Sequence, residues 1–214
     1  MGVATEKTPN KAYFLPYPVS VGENKQPTFI GAYLSQNMQV FDDLLDYCSN
    51  LKRRAGKIGN ESGELNVDVK IKNSSEPTIR YDHPACQNYI AEVQEALEIY
   101  KRDYVYADHV AGYTIEDWQV QEYPKGGAYH EWHTERIGNA STGKGGARHL
   151  VFMTYLNDIE DGGETEFFYQ KLKVKPQKGL TLIWPVDWTH THRGVPSMTE
   201  EKIIATGWYY FVGD

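Results

Sequence analysis

"LTLIWPVDWTHTHRGVPSMTEEKIIATGWYYFV" runs from Leu180 to Val212, and its reading decides the fold. It opens and closes on short runs rich in β-branched and aromatic residues, Leu180–Val186 and Lys202–Val212. A proline, a glycine and charged residues lie between them. Two such runs around a turn-rich segment read as strands. Working back along the chain, "GETEFFYQ" (163–170), "HLVFMTYLND" (149–158) and "TIEDWQVQEY" (114–123) have the same character. Many short strands with frequent turns suggest a sandwich or barrel.

Before Tyr104 the pattern is helical. "SQNMQVFDDLLDYCSNLKRRAG" (35–56) carries Met38, Phe41, Leu44, Leu45 and Cys48 at helical spacing, with Ser35 as a possible cap and Lys52-Arg53-Arg54 near the C-terminal end. "DHPACQNYIAEVQEALEIYKRDY" (82–104) has Pro84 in its first turn and a stripe of Ile90, Val93, Leu97 and Tyr100. The polar stretch from about 57 to 82 carries short strand-like pieces and reads as a loop or hairpin that could serve as a lid. The expected fold is α+β, mainly β: a double-stranded β-helix (jelly roll) core braced by N-terminal helices. We expect one domain over 1–214, with 1–110 as helical support and lid and 111–214 as the catalytic core.

At 214 residues the chain can build one domain with a real core. Its net charge of −7 lacks the electrostatic footprint of a nucleic-acid binder. No stretch approaches the roughly 20 apolar residues of a membrane span, and "MGVATEKTPN" has no apolar signal core, so the expectation is a cytoplasmic protein with no membrane partner. Cys48 and Cys86 are far apart in sequence and read as ordinary thiols of a reducing compartment.

The densest chemistry lies in "YHEWHTERIG" (129–138). On a strand, residues two apart share a face, so His133 and Glu135 could offer an imidazole and a carboxylate to one ion. A third ligand would come from His190 or His192. Two histidines and one carboxylate leave coordination positions open, which suits non-haem Fe(II) oxygenases. A lone His-x-Glu triplet is also a common chance arrangement. Lys202 stands ten residues beyond His192, as a solvated strand-edge lysine or as the cation for a dicarboxylate.

Taken together, Tyr123, Gly126, Gly127, Tyr129, His133-Thr134-Glu135, "YLNDIEDGGETEF" from Tyr155, His192, Pro196, Lys202 and Trp208 form an ordered pattern over residues 121–211. In these residues the chain resembles the prolyl 4-hydroxylase-like branch of the 2-oxoglutarate, Fe(II)-dependent dioxygenases. The resemblance implies His133, Glu135 and His192 as metal ligands. It implies Lys202, Tyr123 and Tyr155 as cosubstrate-binding residues, and Arg148 and Trp208 as the substrate pocket. Glu135 stands where the family usually has Asp. Arg148 and Tyr155 have opposite parity, so on one strand a bulge must intervene or Arg148 must precede it. The implied cofactors are Fe(II), 2-oxoglutarate and O2, with ascorbate as a further candidate. The implied reaction couples hydroxylation to decarboxylation of 2-oxoglutarate to succinate. A peptide or protein containing proline is the expected substrate. A free amino acid or other small molecule, and a cupin-type metalloprotein using His190-Thr191-His192 without 2-oxoglutarate, are the alternatives.

Overall fold

Leu150, Val151, Phe152, Met153, Thr154 and Tyr155 are all buried, although they alternate between the two faces of one strand. A strand reads as an unbroken apolar run when both its faces are covered. Here α-helices cover one face and a second sheet covers the other.

The structure is a computed structural model and describes residues 14–16, 27–59, 64–108, 112–136 and 144–212. Its strands are β1 (Phe14–Pro16), β2 (Gly31–Ser35), β3 (Arg53–Ala55), β4 (Ile58–Gly59), β5 (Leu65–Asn66), β6 (Ser75–Pro77), β7 (Tyr113–Tyr123), β8 (Arg148–Tyr155), β9 (Thr165–Phe167), β10 (Leu172–Val174), β11 (Leu180–Pro185), β12 (His192–Gly194) and β13 (Lys202–Phe211). Its helices are α1 (Met38–Ser49) and α2 (Pro84–Asp103).

The large antiparallel sheet has the order β1-β2-β11-β8-β13-β7-β6-β3 and faces a small sheet ordered β10-β9-β12. This is the jelly roll expected from the sequence. Phe41, Leu44, Tyr89, Val93 and Leu97 pack on the helix side with Trp118, Val120, Leu150, Phe152 and Tyr209. Between the sheets lie Tyr123, Val151, Met153, Tyr155, Phe167, Leu182, Trp184 and Ile204. Burying each large apolar side chain contributes about 1.5–3 kcal/mol. Cys48 and Cys86 are buried free thiols on the helix side.

Both helices form, with different ends. α1 begins at Met38, because Ser35 closes β2 and its main-chain N–H bonds Gly179 O at 3.1 Å. Arg53 and Arg54 belong to β3 and not to a helix terminus. Arg53 grips Glu122 of β7 through two hydrogen bonds of 2.8 and 3.0 Å, and β3 pairs β6 at the sheet edge. α2 keeps Pro84 in its first turn, and His83 caps it by accepting from the Ala85 N–H.

The segment read as a loop or hairpin holds the antiparallel β4–β5 pair, and its β6 is built into the large sheet. β6 joins β7, and Lys72 bridges Tyr129. Lys72 and Glu76, both buried, pair at 2.8 Å.

Candidate active site

His133 lies on an isolated bridge and not on a regular strand, which corrects the reading of His133-Thr134-Glu135 as a strand triplet. The cause is the turn before it. Gly126 adopts φ +76°, a conformation open to glycine, and its N–H reaches Ser197 O at 2.6 Å. The chain then meets β12 once, through His133 N to His192 O and His192 N to His133 O, both 3.0 Å. These two bonds draw together imidazoles far apart in the sequence. Glu135 follows, with its N–H on Val186 O at 3.2 Å, and Thr134 donates to the same carbonyl at 2.7 Å.

One ligand atom from each of His133, Glu135 and His192 lies within 4.8 Å of the other two. Glu135 Oε1 is 3.6 Å from His133 Nε2 and 3.5 Å from His192 Nε2. Each Nδ1 sits against a main-chain carbonyl, Glu131 O at 3.0 Å and His190 O at 2.9 Å. A ring whose Nδ1 donates presents its Nε2 lone pair, which is what a divalent ion requires. His190 faces elsewhere: its Nε2 contacts Thr28 O at 3.0 Å and its Nδ1 the Thr189 hydroxyl.

Burial opposes ionisation of Glu135, but close contact with both imidazoles outweighs it and holds the carboxyl well below its ordinary range. Burial, reinforced by His133, lowers the pKa of His192 and favours the neutral ring. The donor set therefore fits a divalent ion such as Fe(II). The second carboxylate oxygen is held apart from the imidazoles. Glu135 Oε2 accepts from Trp208 Nε1 at 3.0 Å and lies 3.6 Å from Arg148.

Arg148 donates to Glu135 O at 2.8 Å and stacks over the Trp208 ring at 3.6 Å. The parity conflict between Arg148 and Tyr155 resolves at a bulge. Tyr209 pairs Leu150 while Tyr210 pairs Arg148, so His149 is skipped and Arg148 returns to the Trp208 side.

Residues 118–210 match the family model of the 2OG-Fe(II) oxygenase superfamily. The matched segment contains every residue of the site described above. The chain is 32% identical over 106 residues to human prolyl 4-hydroxylase subunit alpha-3, covering 44% of this chain and 19% of that protein. It is 25% identical over 179 residues to Arabidopsis thaliana probable prolyl 4-hydroxylase 3, covering 72% of this chain and 58% of the relative. The chain thus spans less than two thirds of either relative. Among solved structures, a viral collagen prolyl hydroxylase from Paramecium Bursaria Chlorella virus-1 aligns with TM-score 0.60 at 22% identity, over 86% of this chain and 97% of that one. A Trichoplax adhaerens prolyl hydroxylase, solved with a hypoxia inducible factor peptide fragment, aligns with TM-score 0.63 at 18% identity, over 86% and 84%.

Within the matched segment, Lys202 is buried and not a solvated edge lysine. It pairs directly with Tyr123 across β13 and β7, so the two side chains share a face. Its Nζ is 5.4 Å from the Tyr155 ring centre. Among the described residues no carboxylate lies within ion-pair reach, and burial lowers its pKa to about 8. Tyr123 donates to Gln121 Oε1 at 2.6 Å. Tyr155 OH lies 2.7 Å from Thr165 Oγ1 and 3.1 Å from Val174 O. Gln121 and Thr165 escaped the sequence reading, because a polar residue on a buried strand face looks like any exposed one until the fold is known. Tyr129, the second tyrosine of the motif, stacks on His133 with ring centres 3.7 Å apart. Only its place in the pattern could have signalled that contact.

Proposed function

We propose that this chain is a 2-oxoglutarate- and Fe(II)-dependent dioxygenase that hydroxylates prolyl residues in a peptide or protein. The carrying observation is the convergence of His133, Glu135 and His192 beside the Arg148–Trp208 stack, with Lys202 buried between the same sheets. His133, Glu135 and His192 would hold the iron. Iron and 2-oxoglutarate, when bound, supply the activation of O2 and the electrons for hydroxylation, with succinate and CO2 as co-products.

The protein's own residues position and exclude. Lys202 would offer its ammonium to a cosubstrate carboxylate, in a site too dry to replace that contact with water. Tyr123 and Tyr155 would line the same cosubstrate region. Arg148, fixed by its bond to Glu135 O and its stack on the Trp208 ring, would set its guanidinium at the substrate pocket. Trp208 gives that substrate an aromatic wall. We place the chain in a reducing, cytoplasmic setting on its two buried free thiols. No described helix is long and apolar enough to cross a membrane.

The deciding experiment adds 2-oxoglutarate to anaerobic Fe(II)-loaded protein and records the visible charge-transfer band. Proline-containing peptides and free proline are then screened by mass for gain of one oxygen, with and without ascorbate. A folded protein that gives no band overturns the cofactor reading. A band with no oxygen gained by any peptide overturns the prolyl reading.

A further inference from the structure

A polar side chain on a buried strand face costs stability unless something answers its hydrogen bonds. Gln121 is such a residue. It is 5% exposed and stands on β7, two residues before Tyr123 and therefore on the same face, between the sheets. Across β7, β13 and β8 its row reads Gln121, Ile204, Tyr155, and the adjacent row holds the Tyr123–Lys202 pair. Gln121 and Lys202 are thus diagonal neighbours, within reach of long side chains. An apolar residue would fill the place beside Ile204 with no hydrogen bond to answer.

The bond Gln121 makes is with Tyr123, which donates to its Oε1 at 2.6 Å. A phenol has one proton, and it cannot serve Gln121 and a carboxylate on Lys202 at once. A carboxamide resolves the conflict, because it carries an acceptor on one side and two donors on the other. Its terminal torsion is broad and roughly two-fold, so a half-turn brings Nε2 to the tyrosine oxygen. Tyr123 then accepts from Gln121, and its proton is released toward the carboxylate. Neither an apolar residue nor a carboxylate offers both settings. Tyr155 differs. Its hydroxyl lies 3.1 Å from Val174 O and receives the Thr165 N–H at 3.1 Å, so main-chain groups that cannot turn fix its orientation.

We propose that Gln121 is a positioning residue for Tyr123: its carboxamide turns from acceptor to donor and directs the tyrosine hydroxyl at a cosubstrate carboxylate held by Lys202. The inference rests on the 2-oxoglutarate reading above. Gln121 is not part of the His133–Glu135–His192 cluster, so its replacement acts on cosubstrate affinity and not on the metal.

The test uses the anaerobic Fe(II)-loaded holoenzyme. The charge-transfer band gives 2-oxoglutarate affinity, and competition with a chelator gives iron affinity without cosubstrate. Gln121→Leu weakens 2-oxoglutarate binding about tenfold, and Tyr123→Phe does the same. Ser74 also lies beside the Tyr123 hydroxyl, so Gln121→Leu does not strand it. The double variant is no weaker than the poorer single one, because both changes break the same unit. Iron affinity stays within about twofold of wild type in Gln121→Leu. Gln121→Glu, the isosteric variant and the second probe where Gln121→Leu does not fold, sets a carboxylate diagonal to Lys202 and loses about a hundredfold. In turnover, the KM for 2-oxoglutarate rises with each loss and the KM for peptide does not. Unchanged 2-oxoglutarate affinity in folded Gln121→Leu and Gln121→Glu overturns the proposal and leaves Gln121 a structural role alone. Losses that multiply in the double variant also overturn it, since Gln121 then acts without Tyr123. So does iron affinity that falls by the same factor as cosubstrate affinity. A wild type that binds no 2-oxoglutarate overturns the cofactor reading and this inference with it, whereas wild-type binding with unaffected variants strikes this inference alone.

Discussion

Replacing Lys202 by methionine should make the protein more stable while removing the cation proposed to hold the cosubstrate. The ammonium is buried between the sheets, near Tyr155, and desolvation lowers its pKa from 10.5 to about 8. At about 1.4 kcal/mol per tenfold change in proton affinity, holding the charged form at neutral pH costs about 3 kcal/mol. A methionine of similar length removes that cost and keeps most of the packing. The sign follows from linkage. The folded-state pKa lies below the unfolded one, so between about 8 and 10.5 the unfolded chain binds more protons. Wild-type stability therefore rises with pH across that window, and below it the penalty is fully present. The gap between Lys202→Met and wild type should be widest at pH 7 and should close as the pH approaches 10.5. Urea unfolding without added 2-oxoglutarate at several pH values measures it. In parallel, calorimetric titration of the metal-loaded protein should show 2-oxoglutarate affinity falling at least a hundredfold. A variant less stable than wild type at pH 7, or a gap indifferent to pH, would refute the reasoning.

Three further outcomes are expected. His192→Ala should abolish tight Co(II) binding while His190→Ala leaves it within a few fold, since His192 and not His190 points its Nε2 at Glu135; visible titration separates them. Trp208→Phe removes the donor to Glu135 Oε2 and should weaken metal binding by about 10–100-fold with the fold intact, measured by competition with a chelator. Glu76→Gln leaves the Lys72 ammonium buried without its carboxylate and should cost about 3–5 kcal/mol in chemical unfolding; a change below 1 kcal/mol would show that the pair contributes little.

The sequence disclosed the parts whose pattern is local. β8, β11 and β13 are apolar runs that remain recognisable wherever they pack, and both helices carry periodic stripes. What stayed hidden depends on distant partners. β3 is Arg53-Arg54-Ala55, exposed throughout, and is a strand only because β6 pairs with it. β12 is His192-Arg193-Gly194, three residues with no strand signature of their own. The metal-site histidines and Glu135 were visible as residue types at a spacing. The main-chain bridge that joins His133 to His192 was not, since hydrogen bonds between backbones leave no mark on side-chain identity. The bulge at His149 was foreseeable only as a conflict of parity between Arg148 and Tyr155.

That bridge has a consequence for variants of the site. Because main-chain bonds join His133 to His192, replacing either side chain should leave the two segments paired. Loss of one imidazole then reads as a change in the cluster and not as a change of fold.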